Sequence, residues 1–482
     1  MHFRSVLRII GILLMLFSAI LLFPSLIAWI YSEPGVETFA SAALITLLVG
    51  VAMFFAGASE GELRTRDGFM ITVMFYFGIG LFGALPFYLS PEVNVGFTEA
   101  AFESFSGLTT TGATILTSID NLPHAQLFYR HLLQWLGGMG IIVLAVAVLP
   151  MLGVGGMQLY RAESPGPVKD SKLKPRITET AKALWYIYLT LTISCATAYW
   201  FAGMSAFDAI CHSFSTVAIG GFSTHDASMA FFDSVWIETV AIVFMVISGI
   251  NFGLHFVVWN RRSLLPYFAD LEVRLYLLAL VGICFITVLV LGGEGTAATE
   301  HPIRDGIFQV VSIATTTGYT TANFSLWPSL LPILLLLAAF AGGCAGSTAG
   351  GIKMVRVLLL YLQGVRELRR LIHPNGIFPL KLGKLVVPNR VVESVWSFFS
   401  AYVIIFLLLV CILMGISEMD FITAFSAVGA SLNNLGPGLG DVAENYASLT
   451  GPTQWLLMLA MVLGRLEIFT LLVVLTPTFW RH

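Results

Sequence analysis

Apolar residues fall along this chain in stretches of about twenty, the length of helix needed to cross a hydrocarbon layer roughly 30 Å thick. A window of that width predicts ten spans, near residues 6–30, 37–57, 68–89, 127–151, 181–203, 234–258, 272–292, 328–361, 394–416 and 453–476. The first opens Met1-His2-Phe3-Arg4, in the manner of a secretory signal. Phe23, Pro24, Trp29 and Tyr31 then stand where a cleavage site needs small residues, so this segment reads as a retained helix.

Between the spans, four polar, glycine-rich segments share one layout. They read TEAAFESFSGLTTTG (98–112), FDAICHSFSTVAIGG (207–221), RDGIFQVVSIATTTG (304–318) and ITAFSAVGASLNNLG (422–436). Each time a polar residue (Glu99, Asp208, Asp305, Thr423) stands thirteen positions before a glycine (Gly112, Gly221, Gly318, Gly436). The glycines are 109, 97 and 118 residues apart, and each lies between two spans. One such glycine is what helix packing in a membrane also produces; four in register indicate an internal repeat. The predicted fold is an all-α polytopic membrane protein, with four span–pore helix–span repeats around a pseudo-fourfold pore plus two extra amino-terminal transmembrane helices. Its expected parts are residues 1–60 (the extra pair), 61–160, 161–260, 261–375 (whose second helix is broken) and 376–482.

The short helices of about eleven residues reach only halfway through a bilayer, so they are expected to be re-entrant. Lipid cannot satisfy non-helical backbone, which must then be buried in protein or line a watery cavity. Glycine permits the positive φ that turns successive carbonyls toward a shared axis, and a ring of carbonyls can replace the water around an alkali cation.

Composition agrees with a chain immersed in lipid: 57% of residues are hydrophobic and 11% charged, against about a quarter charged in soluble domains. The five cysteines show no CxxC spacing, so neither a disulfide framework nor a zinc site is indicated. The nine histidines form no HExxH, and no Ser, His and acid set suggests a membrane hydrolase. Gly153-Val154-Gly155-Gly156 lacks the third glycine of a dinucleotide loop and reads as a helix end. With a cytoplasmic amino terminus, 22 of the 25 basic residues fall inside, six of them from Arg161 to Lys182 and eight from Lys353 to Arg390. Both termini are then cytoplasmic. Those two basic loops also suit lipid headgroups or a soluble partner. Glu92, Glu99, Glu103, Asp120, Asp208, Asp226 and Asp233 would give the outer face a negative bias.

Two features are expected below the glycine turns. The span at 328–361 is interrupted by Gly342, Gly343, Gly346, Gly350 and Gly351, with Ser347 and Thr348 between them. It should contain a loop inside the membrane that plugs the path, or else a tight glycine crossing. Arg465 lies within the last span, where a lipid-facing charge is costly. It should face the path as an electrostatic brake, or pair with a buried acid; Glu467, two positions on, points elsewhere.

LTTTGAT (108–114), IGGFSTHD (219–226), TTTGYTT (315–321), NNLGPGLG (433–440), GGCAGSTAGG (342–351) and GRLEIFTLLVVLTPTFW (464–480) together resemble the TrkH family of bacterial potassium uptake proteins, of the Trk/Ktr/HKT superfamily. The resemblance runs over the whole chain. It implies an inner-membrane homodimer and a cytoplasmic nucleotide-binding regulator, TrkA. It implies no organic cofactor on this chain, and the only other partner expected is lipid, not nucleic acid. Position by position, Thr111-Gly112, Gly220-Gly221, Thr317-Gly318 and Leu435-Gly436 would line a potassium site, mainly through backbone carbonyls. The glycine-rich loop would be the gate. Only the third repeat, TTTGY, looks much like a potassium-channel filter; Ile219-Gly220 and Asn434-Leu435 depart from it. The function expected is potassium uptake, without enzymatic activity. Symport coupled to protons or sodium is the alternative, as is an organic-solute transporter, which should instead show inverted twofold repetition.

Overall fold

A computed structural model describes residues 2–57, 64–151, 177–293, 299–328, 330–383 and 385–481. Gly153 to Gly156 and most of the basic segment from Arg161 to Lys182 lie outside them.

The described residues are almost entirely helical, with one two-stranded hairpin, Lys381–Leu382 against Leu385–Val386. Five helical stretches are long and apolar enough to cross a membrane: Phe3–Ile30, Val36–Ala56, Arg66–Tyr88, Leu271–Gly293 and Asn389–Ile416. His124–Met151 and Ile177–Phe201 add two more long helices. The segment expected as one helix over 234–258 is instead Val235–Ser248 and Phe252–Arg261, bent by 95°. Asn251 restarts the helix there, its side chain accepting from the Gly253 N–H at 2.7 Å. The segment expected over 453–476 is Gly451–Arg465 and Phe469–Leu475, bent by 113°, because Glu467 and Ile468 both take positive φ. The stretch at 328–361 breaks as well: helix ends at Ala341, resumes at Met354 and runs on to Ile372.

The distribution of side chains is inverted relative to a protein in water. On Leu271–Gly293, Leu278, Val281, Phe285 and Leu289 lie three or four positions apart, on one helix face, and all are more than half exposed. Water would leave such a stripe prone to association, whereas lipid solvates it. Polar residues such as Thr111, Thr216, Thr317 and Asn433 are fully buried at the centre. The amino-terminal helix crosses Val36–Ala56 at small residues: a Cβ on Gly11 would lie 2.6 Å from the Gly50 carbonyl oxygen. That close approach is typical of membrane helix pairs.

Candidate functional site

Four short helices, Phe97–Leu108, Ala206–Ala218, Pro302–Ala314 and Phe421–Leu432, carry the repeated segments. The first turns of three of them are capped from nearby side chains. Glu99 accepts from the Gly96 N–H at 2.7 Å, Ser205 from Asp208 N–H at 3.0 Å, and Asp420 from Ile422 N–H at 3.0 Å. The polar residue thirteen positions before each glycine therefore belongs to a helix start, where it satisfies or neighbours free N–H groups.

All four helices stop in the same backbone turn. The residue before each key glycine donates its N–H to a carbonyl five positions back: Thr111 to Ser106, Gly220 to Ser215, Thr317 to Ser312 and Leu435 to Ala430, each at 2.8 Å. The residue before that donates three positions back and is left-handed, at Thr110 (φ 54°), Ile219 (55°), Thr316 (66°) and Asn434 (53°). This is a Schellman end, but without glycine at its left-handed position. Three of the four residues there are β-branched, a strain of about 1–3 kcal/mol each that surrounding contacts must offset. The glycines follow with φ 80°, 81°, 85° and 97° at Gly112, Gly221, Gly318 and Gly436.

The four turns close on one another in chain order. A Cβ on Gly112 would lie 2.1 Å from the Gly220 oxygen, one on Gly221 2.0 Å from the Thr317 oxygen, and one on Gly318 2.1 Å from the Leu435 oxygen. One on Gly436 would lie 2.7 Å from the Thr111 oxygen, which completes the ring. Thr111, Gly220, Thr317 and Leu435 are thus brought together with the four glycines. All four glycines line one cavity of about 400 Å³, walled by the segments that follow them and bordered by Arg130, His225 and Asp226.

Each rising segment is strapped to its own short helix by a side chain that the motif reading passed over. Glu103 accepts from Ile115 N–H (3.2 Å), Gln309 from Thr321 N–H (3.1 Å) and Ser426 from Leu439 N–H (2.8 Å), while a ring nitrogen of His212 meets the Ser223 hydroxyl at 3.0 Å. Three of these four, Glu103, His212 and Gln309, stand nine residues before their glycine, a spacing that could have flagged them. Glu103 also corrects the expectation of an outer acidic bias: it is fully buried, with Arg130 Nε at 2.7 Å. Asp120 is tied into the same rim by His225 Nδ1 at 2.6 Å. Burial works to raise the Asp120 carboxyl, but its bonds from His225 and Asp226 outweigh this and hold it below the usual value.

Opposite the cavity, residues 342–353 form the break in helix, with left-handed Gly342, Gly346 and Gly351. This loop lies directly beneath the ring. Gly350 donates its N–H to Thr316 Oγ1 at 2.7 Å, and a Cβ there would fall 1.9 Å from the Asn433 oxygen. Thr348 Oγ1 donates to the Val217 carbonyl at 2.9 Å, and a Cβ on Gly343 would meet that of Ala349 at 2.7 Å. Ser347 Oγ closes back on the Cys344 carbonyl. Arg465 is 4% exposed and pairs with no acid among the described residues. Its guanidinium donates to the Thr348 carbonyl at 3.2 Å and to the Gly137 carbonyl at 2.8 Å. Glu467 turns away to pair with Arg356.

A lipid-facing exterior around buried polar backbone turns defines the class: a polytopic α-helical membrane protein. The family model TrkH, described as a cation transport protein, matches residues 35–481, and the chain belongs to that family. It is 54% identical to the Trk system potassium uptake protein TrkH of Salmonella typhimurium, over all of both chains. It is 40% identical to TrkG of Escherichia coli, over all of this chain and 99% of that one. The crystal structure of the potassium transporter TrkH from Vibrio parahaemolyticus superposes with a TM-score of 0.91 at 49% identity, covering all of each chain.

Proposed function

We propose that this chain carries potassium ions into the bacterial cell across the inner membrane, with the ring of Thr111-Gly112, Gly220-Gly221, Thr317-Gly318 and Leu435-Gly436 as the ion-selecting site. The observation that carries the reading is the closure of four equivalent glycine turns in chain order at the floor of one cavity. The short helices end at those turns, so the negative ends of their dipoles favour a cation there. Oxygen-rich backbone at this point suits an ion that has shed its water. The membrane potential supplies roughly 2.3 kcal/mol per charge per 100 mV for inward movement. The ring fits a bare ion, not an organic solute.

The loop from Gly342 to Gly351 and Arg465 act together as a gate. The bonds from Arg465 and Gly350 that pin the loop under the ring support this. Division into an amino-terminal pair and four pore repeats follows from the fourfold turn. The chain works as a homodimer with a cytoplasmic nucleotide-binding regulator. Leu371, Ile372 and Ile377, highly exposed beside Arg369 and Arg370, support a protein-facing surface there. Potassium and lipid complete its ligands.

Radioactive rubidium uptake into vesicles holding the purified chain tests the reading. Potassium should compete more strongly than sodium or lithium, and uptake should follow an imposed potential. Equal competition by all three ions would remove the ion-selecting role of the ring.

A further inference from the structure

The four turns are not built from equal parts. Thr111 and Thr317, just before their glycines, each carry a hydroxyl held 2.7 Å from the hydroxyl two residues earlier, on Thr109 and Thr315. Leu435 fills the matching place in the fourth turn with a buried apolar side chain. The second turn has Gly220 there and so has no side chain at all. Gly220 is not among the left-handed residues of its turn, which are Ile219 and Gly221. Conformational freedom therefore does not explain this glycine; space does. A Cβ on Gly220 would lie 2.4 Å from Cδ and 2.5 Å from Oε1 of Gln134, a fully buried residue on the preceding long helix.

Gln134 occupies the missing side chain's place and bonds on both sides of Gly221. Its Nε2 donates to the Gly220 carbonyl at 2.7 Å, and its Oε1 accepts from the Phe222 N–H at 3.1 Å. The second rising segment keeps the strap from its own short helix, His212 to Ser223, and Gln134 adds a clamp from a different helix.

We propose that Gln134 is a positioning residue that sets ion preference: its amide stands in for the absent side chain of the second turn and fixes the spacing across Gly221. The inference rests on the ring being the ion site. A ring of four carbonyls prefers the larger ion only while all four are held apart against collapse onto a smaller one. Loss of the Nε2 donor both loosens the second turn and returns full negative character to the Gly220 oxygen. Both effects favour sodium.

The test measures rubidium uptake by the full-length chain in vesicles, with potassium or sodium as competitor. Gln134→Leu removes both bonds, and Gln134→Met does so while keeping an unbranched side chain of similar length. For each variant, the sodium-to-potassium ratio of half-inhibitory concentrations should fall at least about five-fold, as for one lost hydrogen bond. A ratio within about two-fold of the parent, in protein that remains folded by size exclusion, overturns the proposal. If the single variants do not fold, a swap decides. Gly220→Thr alone should abolish uptake by collision with the amide. Gly220→Thr combined with Gln134→Ala restores a side chain to the second turn at the place of Thr111 and Thr317, with Ala218 in place of their hydroxyl partners, and should regain uptake with potassium preference. Failure of the combined variant to improve on Gly220→Thr overturns the proposal. A parent without potassium preference removes the ion-site reading itself, whereas a preference that survives in every variant removes only the role of Gln134.

Discussion

Truncating Glu103 to alanine would strand a buried cation. Glu103 and Arg130 have side chains 0% and 1% exposed and meet at 2.7 Å. The carboxylate also accepts from Thr114 Oγ1 at 3.0 Å and from Ile115 N–H at 3.2 Å. Arg130 continues the brace to the second turn, donating to the Ser223 carbonyl at 3.1 Å, and lies over the Phe222 ring at 4.2 Å. Breaking a buried pair by deleting one member costs about 3–5 kcal/mol, and an orphaned buried N–H adds about 1–3 kcal/mol. The two overlap, so the expected loss is about 4–6 kcal/mol, a large part of ordinary folding stability. Replacing both partners by apolar residues, Glu103→Met with Arg130→Leu, should cost much less, because no charge is left unpaired. Unfolding followed by tryptophan fluorescence in detergent, on both single variants and the double, gives the coupling energy directly. The single variants should each be much less stable than the double. If their losses simply add, with coupling under about 0.5 kcal/mol, the pair does not hold the first two turns together and the reasoning fails.

Three further outcomes follow from the geometry. Arg465→Ala removes two charge-assisted bonds, to the Thr348 and Gly137 carbonyls, worth about 1.5–3 kcal/mol each; rubidium uptake should rise at least about ten-fold, and unchanged uptake in correctly inserted protein would dismiss the proposed brake. Gly318→Ala places a Cβ 2.1 Å from the Leu435 oxygen at a φ of 85°, so uptake should be lost while the chain still inserts; parental uptake would show that the ring tolerates widening. Asp420 caps the fourth short helix, and its bonds from Thr423 and the following N–H groups hold its carboxyl below 3.8. Its contribution is therefore present above the unfolded value and fades as pH falls through the folded one. Asp420→Ala should cost about 1 kcal/mol at neutral pH, with the gap to the parent narrowing under acid; a gap that does not change with pH would contradict the cap.

Much of this architecture was legible one segment at a time. Span lengths follow from runs of apolar residues, and the break between Ala341 and Met354 follows from the density of glycine. The left-handed glycines at 112, 221, 318 and 436 could be located because the same pattern occurs four times. Other features left no such mark. Nothing around Leu466 distinguishes a helix bent by 113° from a straight one, since no proline or run of glycines marks the break and the bend is made by Glu467 and Ile468 in conformations their types rarely adopt.

By itself the sequence determined which stretches could be helical and that four of the short-helix ends are alike, because these depend on residues within a few positions of each other. Only the tertiary structure decided which turn touches which, that Glu103 is buried against Arg130 and not part of an outer charge field, and that Gln134 fills a gap left 86 residues away at Gly220. Those outcomes depend on contacts between residues far apart in the chain. Packing selects them, and no periodicity along the chain records them.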